Sequence, residues 1–147
     1  MIMIKKIFLL SLIALSVFSC SRCILLEDVV ERYEDGSKKV VHYYEEKKNA
    51  EKEWVGETWF YNEGMKYLEG PIVDGKRNGF FKAYHKSGIV MSEGNFVDGK
   101  REGEAVVYHE NGKVNYTGFY KNGKECGVWK FYDDKGNLYN EVNKDLR

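Results

Sequence analysis

The sequence predicts an all-β chain, an elongated twisted antiparallel sheet built from tandem β-hairpins, and three observations carry that prediction. First, Gly79-Phe80-Phe81-Lys82-Ala83-Tyr84, Gly103-Glu104-Ala105-Val106-Val107-Tyr108 and Gly127-Val128-Trp129-Lys130-Phe131-Tyr132 recur every 24 residues, with a weaker copy at Gly56-Glu57-Thr58-Trp59-Phe60-Tyr61. Self-similarity at a fixed period of this length marks an array of small supersecondary units. Second, turn signals punctuate each copy twice. Third, the chain holds 15 glycines and 11 tyrosines but one proline, a balance that suits twisted strands joined by glycine turns.

The elements follow in chain order. Lys5 and Lys6 precede an apolar run from Ile7 to Phe18, which is short of the roughly 20 residues that span a bilayer and reads as an export signal. Val17-Phe18-Ser19-Cys20 resembles a bacterial lipobox. That resemblance implies that residues 1–19 are a signal peptide, that Cys20 is lipidated, and that residues 20–28 form a lipidated tether. Buried acyl chains, at about 0.8 kcal/mol per CH₂, then hold the domain on a membrane without a spanning helix. An ordinary cleaved signal and an uncleaved amphipathic start are the competing readings. Ser21 after the cysteine implies, by the same resemblance, the outer membrane of a bacterial cell envelope.

Residues 29–55 read as a degenerate first repeat. Val29 to Tyr33 and Lys39 to Tyr44 flank Glu34-Asp35-Gly36-Ser37, a hairpin signal. The charge-dense stretch at 45–53 reads as a solvated hairpin tip or a short helical excursion. Residues 56–147 hold the repeats and a charged C-terminal cap. Within each, Tyr84-His85-Lys86-Ser87-Gly88 and Tyr108-His109-Glu110-Asn111-Gly112 close one strand, and the structural turn glycines Gly75, Gly99 and Gly123 close the next. Connections this short join only antiparallel neighbours.

Alternation identifies the expected core face as Thr58 and Phe60, Phe81 and Ala83, Ala105 and Val107, Trp129 and Phe131. The opposite face carries Glu57 and Trp59, Phe80 and Lys82, Glu104 and Val106, Val128 and Lys130. On the second strand, Gly70, Gly94 and Gly118 stand where an aromatic ring is expected to lie over the backbone.

Segments 94–103 and 118–127, with Gly94-Asn95-Phe96-Val97-Asp98-Gly99-Lys100-Arg101-Glu102-Gly103 as the clearest, resemble MORN repeats of the bacterial variant. The resemblance covers residues 54–142 and, more weakly, 29–53. It implies a hairpin array, and it implies functions carried out by binding: bacterial relatives include proteins similar to antitoxin or immunity partners of secreted toxins, and eukaryotic ones are associated with membranes, lipids and scaffolding. No catalytic residue comes with it.

The composition narrows the function further. Lys and Arg number 23 against 23 Asp and Glu, so no global field favours nucleic acid. Three cysteines, with Cys20 lipidated and Cys23 and Cys126 left over, do not make a disulfide scaffold. His85 and His109 recur in place, but equivalent strands lie two spacings apart, about 9–10 Å, too far for one metal ion. Glu69, Glu93 and Glu141 also recur; like environments do not separate the pKa values of an acid and a base. No enzyme, cofactor or metal site is therefore expected.

Trp59, Tyr61, Lys82, Tyr84, Tyr108, Lys130 and Tyr132 are the candidate binding surface, since tyrosine and tryptophan add contact area at low entropy cost. The tyrosines also fit a second, smaller core face. The leading expectation is a non-enzymatic, membrane-anchored protein that binds an unidentified protein partner, a toxin by the family resemblance. The alternative is a cell-envelope structural module or one that binds lipid or glycan.

Overall fold

The computed structural model describes residues 25–146. The expected signal peptide at residues 1–19, Cys20 and Cys23 lie outside the described residues. The chain forms one antiparallel sheet of 11 strands that pair in sequence order, except that the short fifth strand pairs only with the fourth, which also pairs with the sixth. The strands are β1 (Leu25–Arg32), β2 (Lys38–Glu46), β3 (Lys52–Phe60), β4 (Lys66–Val73), β5 (Lys76–Arg77), β6 (Gly79–Tyr84), β7 (Val90–Val97), β8 (Lys100–Tyr108), β9 (Val114–Lys121), β10 (Lys124–Tyr132) and β11 (Leu138–Asn143), followed by a 3₁₀ turn, Lys144–Leu146. The expected all-β ribbon of hairpins is what forms.

From β3 onward two kinds of turn alternate along it. Asp74-Gly75, Asp98-Gly99 and Asn122-Gly123 each place two successive residues at positive φ, for example 50° and 79° at Asp98 and Gly99. That is the two-residue hairpin whose twist matches the strands, and Asn or Asp before Gly tolerates it best. The other turns span five residues. His85 N donates to Ile89 O at 2.8 Å and Gly88 N to His85 O at 2.9 Å, and the same pair of bonds closes Tyr61–Met65, His109–Lys113 and Asp133–Asn137. Each is followed by a one-residue register shift, as between Ala83 and Tyr84.

The strand pairing corrects three expectations. Residues 25–28, read as tether, belong to β1: Leu25 pairs with Glu45 and Asp28 with His42. The charged stretch does form a hairpin tip, but a short one. Glu45 and Glu46 end β2, Lys52 and Glu53 begin β3, and Lys47 N donates to Glu51 O across the loop at 2.8 Å.

The third correction concerns the first copy of the repeat. Thr58 pairs with Glu69 as Lys82 pairs with Glu93, Val106 with Thr117 and Lys130 with Glu141. Phe60, not Tyr61, is therefore the equivalent of Tyr84. Gly56 is not an opening glycine either, since it lacks the positive φ of Gly79, Gly103 and Gly127. A slip of one residue exchanges the two faces of a strand, so Glu57 and Trp59 share the face of Phe81 and Ala83.

The only proline explains the one broken strand. Pro71 stands where later copies have Asn95 and Phe119; lacking an N–H, it accepts from Asn78 N at 3.2 Å but cannot return a bond. The equivalent of the continuous β8 is thus split into β5 and β6.

The core is thin, as one sheet requires. Val40, Val41, Ile72, Phe81, Ala83, Ala105 and Trp129 are the buried apolar residues, and Glu57 and Thr58 are the buried polar ones. Phe81 lies over Gly70 and Trp129 over Gly118, so close that a Cβ at either glycine would overlap the ring. Aromatic rings expected over mid-strand glycines are found at these two positions. Tyr116 and Tyr120 complete the Trp129 cluster, with ring centroids 5.8 and 5.3 Å from it.

Candidate functional site

The two faces of the sheet differ in what they leave open. On one face, tyrosines and carboxylates of successive repeats bind each other. Tyr84 Oη donates to Glu69 Oε1 at 2.5 Å, and Tyr108 Oη to Glu93 Oε2 at 2.9 Å. Lysines complete the set: Lys66 Nζ lies 2.6 Å from Glu69 and Lys82 Nζ 3.1 Å from Glu93. Burial and the Glu69 hydrogen bond push the Tyr84 phenol up to about 12. Tyr108 is raised for the same two reasons. For Glu69, burial acts to raise the pKa, but hydrogen bonds from Lys66 and Tyr84 outweigh it and leave the carboxyl below its ordinary value.

This arrangement brings together five of the seven predicted surface residues: Lys82, Tyr84, Tyr108, Lys130 and Tyr132. Lys130 stands 4.0 Å from Glu141, and Tyr132 has Thr117 where its counterparts have glutamate. The hydroxyls of Tyr84 and Tyr108 serve the inter-repeat ladder. Trp59 does not belong to the group, because the one-residue slip turns it to the other face, where it pairs with Val40 and Leu68.

Tyr61 sits in a turn and belongs to a second ladder. Its hydroxyl donates to Tyr84 O at 2.9 Å, as Tyr33 does to Phe60 O at 2.8 Å. His85 and His109 take the same place one and two copies later, with Nε2 at 3.4 Å from Tyr108 O and 2.9 Å from Tyr132 O. Each ring nitrogen facing a carbonyl is a donor. The histidines therefore tie one repeat to the next, and among the described residues no group of three metal-ligating side chains gathers.

The other face carries stacked rings and cations. Arg77 lies 5.3 Å from the Phe81 ring and 5.9 Å from Phe96; Arg101, one repeat on, lies 5.4 Å from both Phe96 and Tyr120. Lys144 ends the series 5.4 Å from Trp129. Such contacts are worth about 0.5–2 kcal/mol each, depending on how far the cation is desolvated. Arg77 also binds Glu57, Nε to Oε1 at 2.7 Å, and this carboxylate is only 6% exposed.

The middle repeat breaks the pattern on this face. Ala105 stands where the neighbouring copies have Phe81 and Trp129, so no ring covers Gly94; the nearest side-chain atom to a Cβ built there is Arg101 Nη1, at 3.4 Å. Two recesses open on either side of Arg101, of about 190 and 220 Å³, sharing Met91, Ser92 and Arg101 in their walls. The 24-residue spacing of Arg77 and Arg101 was visible in the sequence. Their position over the aromatic face was not, because it depends on the strand pairing.

With this geometry in place, the repeats have a counterpart among known proteins. Residues 101–122 and 125–143 match the family model described as MORN repeat variant. The match supports a MORN-repeat family. Both matched segments contain one return of the MORN-type hairpin, β8 to β9 and β10 to β11. No curated protein matches the chain. Among solved structures, a S. aureus TarM mutant in complex with Fondaparinux, alpha-GlcNAc-glycerol and UDP is similar at 11% identity and a TM-score of 0.36, covering 82% of this chain and 20% of that one. The chain thus spans a fifth of that protein's length.

Proposed function

We propose that this chain is a non-enzymatic, repeat-based module that binds another protein, held at the bacterial envelope by lipid on Cys20 and similar in role to an antitoxin or immunity partner. The observation that carries the binding reading is the half-buried aromatic and cationic face: Phe96 and Tyr120 alternate with Arg77, Arg101 and Lys144 across successive hairpins, above the buried rings of Phe81 and Trp129. Arginine and large aromatics are the residues that dominate protein-binding energetics. A regular array also favours an extended contact over a single reactive centre.

The expectation that Lys82, Tyr84 and Tyr108 form the contact surface is modified in this proposal. Their polar ends are engaged within the sheet, so the opposite face is the better candidate. Crosslinked pull-down of the full chain from native membranes tests the function. A protein partner is expected in stoichiometric amount, lost on Arg101→Ala; recovery of no protein partner would sink the proposal.

A further inference from the structure

Arg77 and Arg101 hold the same place in successive repeats and the same position between rings, but they differ in charge balance. Arg77 is neutralised by Glu57 at 2.7 Å. No ion pair forms at Arg101 among the described residues, although its guanidinium is flanked by Phe96 and Tyr120 at 5.4 Å each. The fold therefore contains its own example of what this cation binds when it is stacked between aromatic rings. A carboxylate meets the side of the guanidinium that the rings leave free.

The same position has room for the rest of a ligand. Ala105 replaces the ring found in both neighbouring copies, and the Arg101 guanidinium, not a ring, lies over the buried Gly94. The recess of about 220 Å³ there is lined by Met91, Ser92, Arg101, Ala105, Tyr116 and Tyr120. One cation in a mostly apolar and aromatic wall suits a carboxylate carried on a hydrocarbon chain.

We infer that Arg101 receives an Asp or Glu side chain of a protein partner, with a neighbouring apolar side chain of that partner seated in the recess walled by Met91, Tyr116 and Tyr120. This rests on the protein-binding reading above and adds the partner's chemistry to it. Arg101 donates to the incoming carboxylate as Arg77 donates to Glu57, and the apolar residue fills the recess that the small side chain of Ala105 leaves beside it.

The test is a randomised peptide display library selected on the full chain in detergent, followed by affinity measurements on the selected peptides. Peptides bearing Asp or Glu beside an apolar residue are expected. Arg101→Gln should weaken them on the order of tenfold, the usual worth of a hydrogen bond to a charged group. Ala105→Phe, which restores the ring of the neighbouring copies, should weaken them at least as much while the thermal melt stays cooperative. Changing the peptide's acid to its amide should add no further loss in Arg101→Gln. Lys47→Gln, at the β2–β3 hairpin tip, should change nothing.

Selected peptides that lack an acid, or that bind Arg101→Gln as well as the unaltered chain, overturn the inference and leave the protein-binding reading standing. Inorganic phosphate that displaces the peptides while binding more tightly than they do also overturns it. A selection that enriches no peptide overturns both.

Discussion

Trp129 lies across Gly118 so closely that a Cβ at residue 118 would overlap the indole. The glycine is therefore the floor on which the repeat's largest side chain packs. Phe81 over Gly70 repeats the relationship two copies earlier, and the absence of a ring over Gly94 interrupts it.

The glycine series has a graded outcome. Gly118→Ala and Gly70→Ala force the ring or the backbone to move, and each should lose roughly 1–3 kcal/mol, as overpacking does. Gly94→Ala meets Arg101 Nη1 at 3.4 Å, the Glu104 carbonyl at 3.6 Å and Ala105 Cβ at 3.7 Å. It should stay within about 1 kcal/mol of the unaltered chain, because removing a mid-strand glycine offsets the tighter contact. Urea midpoints for the three variants check the order, and equal losses at Gly94 and Gly118 would refute it.

The Glu57–Arg77 pair should behave as a buried ion pair. Arg77→Met strands a carboxylate that is 6% exposed, and should cost roughly 3 kcal/mol. Adding Glu57→Leu removes the stranded charge and should recover most of that loss. The two denaturation midpoints decide it; a double variant no more stable than Arg77→Met would mean that the pair is not what holds this position.

Alkaline stability should depend on Tyr84. Its phenol is pushed up from 10.0 to about 12 by burial and the Glu69 bond, so the folded chain holds this proton more tightly than the unfolded one. The stabilisation is complete below pH 10 and is lost as pH rises toward about 12. Tyr84→Phe should accordingly be less stable at neutral pH, with the gap closing across that window. A tyrosinate absorbance titration should also lose its highest step, and a gap that stays constant up to the alkaline limit would contradict the assignment.

Membrane attachment should follow Cys20. Cys20→Ser is expected to abolish incorporation of labelled fatty acid and to move the chain from the membrane fraction to the soluble one. Unchanged fractionation and labelling would remove the lipid anchor from the proposal.

Much of the fold was legible because its signals are local. Asp98-Gly99 and Asn122-Gly123 dictate their turns through backbone sterics, and the 24-residue spacing carries the strands with them. Phe81 and Trp129 were legible as core by alternation alone. The first copy was not, because Gly56 and Tyr61 imitate the start and end of the repeat while Val55 and Phe60 occupy those places in the pairing. Alternation has a period of two, so that single residue moved Trp59 from the predicted surface to the opposite face.

By itself the sequence determined the hairpin array and its turns, because each rests on the conformational limits of a few adjacent residues; the ring expected over Gly94 as over Gly70 and Gly118 is missing, because Ala105 stands in its place. Only the tertiary structure decided which residues meet across strands. The Tyr84–Glu69 bond joins residues 15 apart, and Glu57 reaches Arg77 over 20. Such partners are set by register, and register is a property of the paired sheet: the hydrogen-bond ladder selects it, and every side-chain encounter follows from that choice.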